Sequence, residues 1–375
     1  MGPSKGPGPP RDGTRRAKVA RSPRDSSLMA ASDLSVCFLG AGRINASHIR
    51  TLRRLRPRAA IAVASRDPER ARAFAARVGA AQHFGSYEEA IGSRCDAVVI
   101  GVPPRGHARL VELALAADKH ILVEKPVFAT FSELTAAWPA MTAHRRAVMV
   151  AENLHYAPFH RRLKTLLADA TLGRPLVLDL VRLGRSRPTG WRADPAEMPL
   201  GALHEGGVHW IRKLLDLAAV FENGQLDHVV DVYAVAPPAP VTPTPGEDTM
   251  MIVARHRSGL ASRLLHTWAV PWRFPPFDMS KVMLEHGALY FEARGLFGRF
   301  YTRAGRSLLW PDLRDAAGYQ AMWRDFLAAV EDARPPDLTL AHIFADFAYM
   351  DAAYRSLASH RPESPIPIPP PREAG

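Results

Sequence analysis

Cysteine is scarce: the 375-residue chain carries two, Cys37 and Cys95. Two thiols cannot build a disulfide framework or a cysteine-rich zinc module, and they suit a reducing compartment. Long apolar runs are also missing. No stretch reaches the ~18 residues of a spanning helix, so no membrane partner is expected. Lysine is rare, only seven of the 49 basic residues. The formal net charge is nevertheless +12, which raises the question of nucleic acid. The charges are spread thinly, without a basic helix or the interleaved aromatics of a nucleic-acid groove, so no nucleic-acid partner is expected.

Much of that charge sits in a tail. Residues 1–28 hold seven basic and two acidic side chains. Residues 1–32 are rich in Gly, Pro, Ser and Arg and lack an apolar segment. They cannot bury a face, so they are read as a disordered basic tail without a secretory signal. Met29 opens a plausible shorter chain. A cytoplasmic location is expected. Residues 361–375 are a second, Pro-rich tail, expected to be extended and mobile. The Pro cluster at 237–246 reads as a loop between strands.

Between the tails the pattern changes once. From Ser35 to Ala151 apolar strands alternate with helices. The strands are expected at Ser35–Leu39, Ala59–Ala64, His83–Phe84, Asp96–Val102, Ile121–Val123 and Ala147–Ala151. Helices are expected from the glycines to Leu55, over Pro68–Val78 and Gly106–Ala117, and after the capping box Thr130–Glu133. This rhythm predicts an α/β domain, residues 33–152, built on a Rossmann-type parallel sheet covered on both faces. Strand-like segments then follow one another: Leu176–Leu183, His228–Ala236, Thr249–His256, Ala261–Ala269, Lys281–Glu285, Ala288–Glu292 and Gly298–Arg303. Helices Tyr319–Ala333 and Leu340–Leu357 close the series. Residues 153–360 are therefore read as an α+β domain on an open-faced, mainly antiparallel sheet.

The chemistry concentrates in four places. Gly40-x-Gly42 follows a strand and opens a helix whose first residues are Arg43 and Ile44. Glycine admits a tight turn and close approach of a pyrophosphate to the helix N-terminus. The third glycine of that fingerprint is replaced by Asn45. The second strand ends in Ser65-Arg66-Asp67, about where an acid would bind a ribose hydroxyl, and Asp67-Pro68 can instead start the next helix. Arg66 can pair with a 2′-phosphate, which favours NADP(H), with NAD(H) the alternative. Glu124-Lys125-Pro126 ends another strand at its carboxyl end, where parallel sheets hold ligands. Glu205 and His209 are four apart, on one face if helical, so the carboxylate could orient the imidazole. His204 and His209 lack the spacing of helical zinc ligands, and no metal is expected. Trp191-Arg192 could stack on a ligand and reach a phosphate or amide.

Taken together these segments resemble the glucose-fructose oxidoreductase / inositol dehydrogenase / rhizopine-catabolism (Gfo/Idh/MocA) family. FLGAGRINASH resembles its opening fingerprint. DAVVIGVPPRGHARLVELALAADKHILVEKP is the most specific match, and AENLHYAP and WRADPAEMPLGALHEGGVHW follow in family order. The resemblance runs from Ser35 to about Ser356. It implies hydride transfer between a nicotinamide and a secondary alcohol or ketone of a sugar, cyclitol or related small molecule. It also implies a homo-oligomer, dimer or tetramer, formed through the open sheet.

Residue by residue, the resemblance implies that Lys125 positions or deprotonates the reacting hydroxyl and that His209 is the acid/base. Glu205 stands where the family usually has Asp. Pro103 and His107 are expected on the nicotinamide side, with Glu124, Trp191 and Arg192 also near the cofactor. His155 and Tyr156 are candidate substrate contacts. Asn45 is expected to loosen helix–strand packing or shift the cofactor. Two rival readings share the fold: a non-catalytic NAD(P)-binding sensor, and a redox-assisted, NAD-dependent glycosidase.

Overall fold

Strand β1 (Ser35–Leu39) is apolar after its first residue and its last four residues are buried, as required of a strand covered on both faces. The chain then alternates through α1 (Arg43–Leu55), β2 (Ala60–Ala64), α2 (Pro68–Val78), β3 (Gln82–Phe84), α3 (Tyr87–Gly92), β4 (Ala97–Ile100), α4 (His107–Ala116), β5 (His120–Val123), α5 (Phe131–Ala143) and β6 (Val148–Val150). All six strands are parallel, in the order β3-β2-β1-β4-β5-β6. The reversal of order beside β1 opens a crevice at the carboxyl ends of β1 and β4. Local signals set the helix ends. Asp67 caps α2 by accepting from Glu69 N and Arg70 N, Pro68 is its first residue, and Gly79 ends it with φ +66°.

This computed structural model describes Gly2 and residues 34–226, 228–271, 279–303 and 305–370. Apart from Gly2, the expected disordered tail, residues 1–32, lies outside the described residues, as does the end of the Pro-rich tail. The rest of that tail is pinned rather than mobile. Glu363 exchanges two backbone hydrogen bonds of 2.9 Å with Val232, and Ile368 packs on the core. Among the described residues no helix is long and apolar enough to cross a membrane.

The second half adds α6 (Pro158–Leu167), β7 (Pro175–Leu183), α7 (Val208–Ala219), β8 (Val229–Val235), β9 (Thr249–His256), β10 (Ala261–Thr267), β11 (Met279–Leu284), β12 (Gly287–Glu292), β13 (Gly298–Thr302) and β14 (Gly305–Leu309). Its eight strands run β14-β13-β12-β11-β7-β10-β9-β8, antiparallel except for β7 beside β10. The Pro-rich 237–246 segment lies in the β8–β9 connection. One face carries α7, which is buried on nearly all sides. The other face is open, and cross-strand registers line up Tyr233, Val253, Arg263, Asp179, Lys281 and Tyr290 across it.

The last helices, α8 (Tyr319–Glu331) and α9 (Leu340–Ser359), do not stay with the second sheet. Trp323 is fully buried against Phe38 and His48, and Phe344 meets Phe131 and Trp138 of α5. The expected cut at residue 153 is thus crossed by the C-terminal helices, and one continuous apolar core serves both sheets. Four elements escape sequence reading: α3, α6, α7 and edge strand β14, whose first four residues are exposed.

Asn45 corrects an expectation. Its amide donates to the carbonyls of Leu39 (2.8 Å) and Gly40 (2.7 Å), so it ties α1 to the end of β1 instead of loosening it. Gly101 makes the room: a Cβ there would lie 2.3 Å from Asn45 Oδ1. Gly40, at φ +108°, is fixed by the same crowding, since its Cβ would meet Gly101 O at 2.6 Å. Gly101→Ala is expected to cost about 1–3 kcal/mol in denaturant unfolding. The two sites should be coupled, so Gly101→Ala should cost less in an Asn45→Gly background than in the parent. An unchanged unfolding midpoint in the single variant would contradict this packing.

Candidate active site

The turn after β1 leaves an anion cradle. Gly42 precedes α1 in an extended conformation with no side chain capping it, so the first N–H groups of α1 are open to a ligand. A Cβ on Gly42 would meet nothing within 4 Å, which is the free space a close-lying phosphate needs. Here opens a cleft of about 870 Å³, lined by Gly40, Gly42, Arg43, Ile44, Ser65, Arg66, Asp67, Arg70, Tyr87, Pro103, Trp191 and Arg192 among others. These residues fit a dinucleotide. Arg192 stacks on Trp191, 4.3 Å from the ring centre, and both come from the turn Gly190–Ala193.

Two expected cofactor residues lie beneath the cleft instead of lining it. His107 is buried, its Nδ1 3.1 Å from the carbonyls of Pro126 and Val127 and its Nε2 2.9 Å from that of Val102. Burial lowers its pKa, and the carbonyls of Val102, Val127 and Pro126 oppose that shift without reversing it. Glu124 is buried as well. Trp323 Nε1 donates to His48 Nδ1 at 3.0 Å, which leaves His48 Nε2 to donate to Glu124 at 2.8 Å. Burial raises the Glu124 pKa, but His48 and Lys125 outweigh it and the net direction is down.

At the carboxyl end of β5, Lys125 reaches across to the second half of the chain. Its Nζ donates to the Glu205 carbonyl at 2.7 Å and lies 3.8 Å from the Glu205 carboxylate. Arg192 Nε binds that carboxylate at 2.9 Å. Burial would push the Glu205 carboxyl up, yet Lys125 and Arg192 hold it down at about 2. Glu205 is therefore a buried anion between two cations.

Glu205 does not orient His209, contrary to the sequence expectation. Leu203–Gly207 forms a π-helical turn before α7, and the wider turn changes which residues share a face. The partner of His209 is Glu152, with both carboxylate oxygens 2.6 Å from Nδ1. A proton on Nδ1 leaves the lone pair on Nε2. Glu152 stands just beyond β6, at the carboxyl edge that also presents Lys125. That edge rule is the signal that could have found it. Arg70 and Tyr87 were missed too. They reach the cleft from α2 and α3, and Tyr87 is one of the residues the sequence assigned to no strand or helix.

His155 and Tyr156 are likewise not where substrate contacts were expected. The turn Asn153–Tyr156 points both into the interior. His155 Nδ1 lies 2.6 Å from Asp216. The Tyr156 hydroxyl donates to Asp325 at 2.7 Å and accepts from Leu338 N at 3.2 Å. His204 is buried too, with Nε2 3.1 Å from the Phe128 carbonyl, and burial lowers its pKa to about 4.

A phosphate cradle on a parallel sheet, beside a cluster of charged side chains from the strand ends, the turns Gly190–Ala193 and Leu203–Gly207 and α7, defines a dinucleotide-binding protein. Residues 34–152 match the family model described as an oxidoreductase family with an NAD-binding Rossmann fold, and residues 160–289 match the GFO/IDH/MocA C-terminal domain. The chain belongs to the Gfo/Idh/MocA oxidoreductase family.

Among its relatives is a D-xylose 1-dehydrogenase [NADP(+)] of Haloarcula marismortui, 32% identical over 190 residues, or 46% of this chain and 51% of that protein. Another is inositol 2-dehydrogenase 4 of Saccharopolyspora erythraea, 32% identical over 169 residues, or 44% and 50%. The chain spans about half the length of these two relatives. A levoglucosan dehydrogenase solved with NADH and levoglucosan shares the fold, with a TM-score of 0.79 at 20% identity over 89% of this chain and 100% of that one.

The Glu205 charge has a pH signature. Its folded pKa of about 2 lies below the ordinary 4.5. The stability it contributes is therefore present above about pH 4.5 and is lost as pH falls through that value toward 2. Glu205→Gln should be less stable than the parent by about 3 kcal/mol near pH 7. In denaturant titrations that deficit should hold down to about pH 5 and shrink below it. A deficit independent of pH would contradict the assignment.

Proposed function

We propose that this chain is an NAD(P)-dependent oxidoreductase acting on a secondary alcohol or ketone of a polyhydroxylated small molecule, with NADP(H) the preferred cofactor. The observation that carries the reading is the contact of Lys125 and Arg192 with Glu205, where Arg192 also lines the dinucleotide cleft, with the Glu152–His209 pair beside the neighbouring strand end. Bound nicotinamide would supply the hydride acceptor or donor.

The chain's own side chains handle the proton and the charge. Lys125 is an ammonium with three N–H groups. Two of its contacts go to Glu205, and the ammonium has capacity for a substrate hydroxyl whose developing negative charge it stabilises. His209 takes the hydroxyl proton on Nε2, and Glu152 stabilises the resulting imidazolium through Nδ1–H. In the reducing direction the same groups return the proton. The xylose and inositol dehydrogenases among the relatives support a sugar or cyclitol as substrate class.

The preference for NADP(H) rests on the end of β2. The Asp67 carboxylate is committed to α2, accepting from Glu69 N at 3.0 Å and Arg70 N at 3.2 Å. Arg43, Arg66 and Arg70 line the cleft, and guanidinium groups suit a 2′-phosphate. The open sheet face, with exposed Val177, Val230, Tyr233 and Val253, supports a homo-oligomer of dimer or tetramer size.

Fluorescence titration of the purified chain with NADPH and with NADH tests the cofactor reading. NADPH should bind more tightly, and Arg66→Ala should weaken NADPH about tenfold or more while sparing NADH. A sugar and cyclitol panel with NADP should then give turnover. Tighter NADH binding would overturn the cofactor preference. Binding without turnover on any member of the panel would favour a sensor.

A further inference from the structure

We propose that Glu222, His228 and His256 form a binding site for a divalent transition-metal ion of the zinc class, at the edge of the second sheet. The spacing of His204 and His209 predicts no metal site at those two residues, and this cluster lies elsewhere. These three residues are separated along the chain and meet only in the fold. Glu222 ends the turn Val220–Glu222 that follows α7, His228 immediately precedes β8, and His256 closes β9.

One ligating atom from each of the three lies within 4.8 Å of the others. The two imidazoles stack with ring centres 5.1 Å apart and planes 25° apart, and their Nδ1 atoms are 2.9 Å apart. Zinc–nitrogen and zinc–oxygen bonds are about 2.0–2.2 Å long. An ion between these atoms therefore requires shifts of roughly an ångström or less at each side chain. Two imidazoles and a carboxylate form a borderline N/O donor set, which favours zinc, cobalt or nickel over magnesium or calcium.

The burial and the surrounding bonds resemble a prepared site rather than a surface coincidence. All three residues are buried, His228 completely. A metal-bound histidine typically donates its other ring N–H to a fixed acceptor, and His256 Nε2 lies 2.7 Å from Ser262 Oγ. One Glu222 oxygen accepts from Ser258 N at 2.8 Å, which fixes the carboxylate. Arg257 N donates to the His228 carbonyl at 2.9 Å, holding the backbone of one ligand beside the other. Strand β8 is the edge of the sheet, so an ion here pins the end of α7 to that edge and to β9.

The test uses the untagged full-length chain, stripped with a chelator and titrated with Co²⁺. A single equivalent should bind with a visible d–d band, Zn²⁺ should displace it, and Zn²⁺ should raise the melting temperature. His256→Gln and Glu222→Gln, checked for native near-UV circular dichroism, should lose the band and the zinc-induced shift. Ser262→Ala keeps all three ligands and should weaken Co²⁺ by about tenfold. Absence of a cobalt band in the parent chain would overturn the proposal and leave a hydrogen-bonded imidazole pair. A band unchanged in both ligand variants would overturn it as well.

Discussion

A buried carboxylate between two cations joins the halves of this molecule. Glu205 sits in the π turn before α7, while Lys125 comes from the end of β5 and Arg192 from the turn that walls the cleft. Taking the Glu205 and Lys125 charges out of water costs several kcal/mol each, and only close pairing offsets it. The arrangement therefore tolerates little displacement. Removing one partner of a buried pair costs about 3–5 kcal/mol, because the other is left unpaired. The same constraint holds Lys125 at the crevice, where the proposed reaction needs a fixed positive charge.

A second chain of contacts supports that lysine from below. Trp323 of α8 donates to His48 of α1, which donates to Glu124, the residue before Lys125. Glu124 also accepts from the Lys125 backbone N–H at 3.0 Å. The C-terminal helices are thus part of the support of the first sheet. Residues nearly 200 apart in sequence fix the strand end that carries Lys125.

What the sequence made legible was local. The Gly40-x-Gly42 turn, the Asp67-Pro68 helix start and the apolar strands are specified by neighbouring residues, and they fold as their chemistry dictates. The position of Lys125 beyond the end of β5 was legible because a strand end in a parallel sheet is a recognisable place. The errors came where tertiary structure chose the partner. An α-helical spacing assigned His209 to Glu205, whereas the π turn gave it Glu152. His155 and Tyr156 follow Glu152, the partner of His209, within four residues, but their turn sends them to Asp216 and Asp325. Asn45 breaks a glycine pattern, and only the space opposite Gly101 reveals that its amide is accommodated. Likewise Glu222, His228 and His256 share no motif and are united only by the packing of β8 and β9.

The most direct measurement is turnover by Lys125→Met on an accepted polyol with saturating NADP, with folding and NADPH binding measured alongside. The account predicts native circular dichroism and NADPH affinity within a few-fold of the parent, with kcat reduced by about 10²–10⁴-fold. Undiminished turnover in that folded, cofactor-binding variant would contradict the role proposed for Lys125 and the reaction built around it.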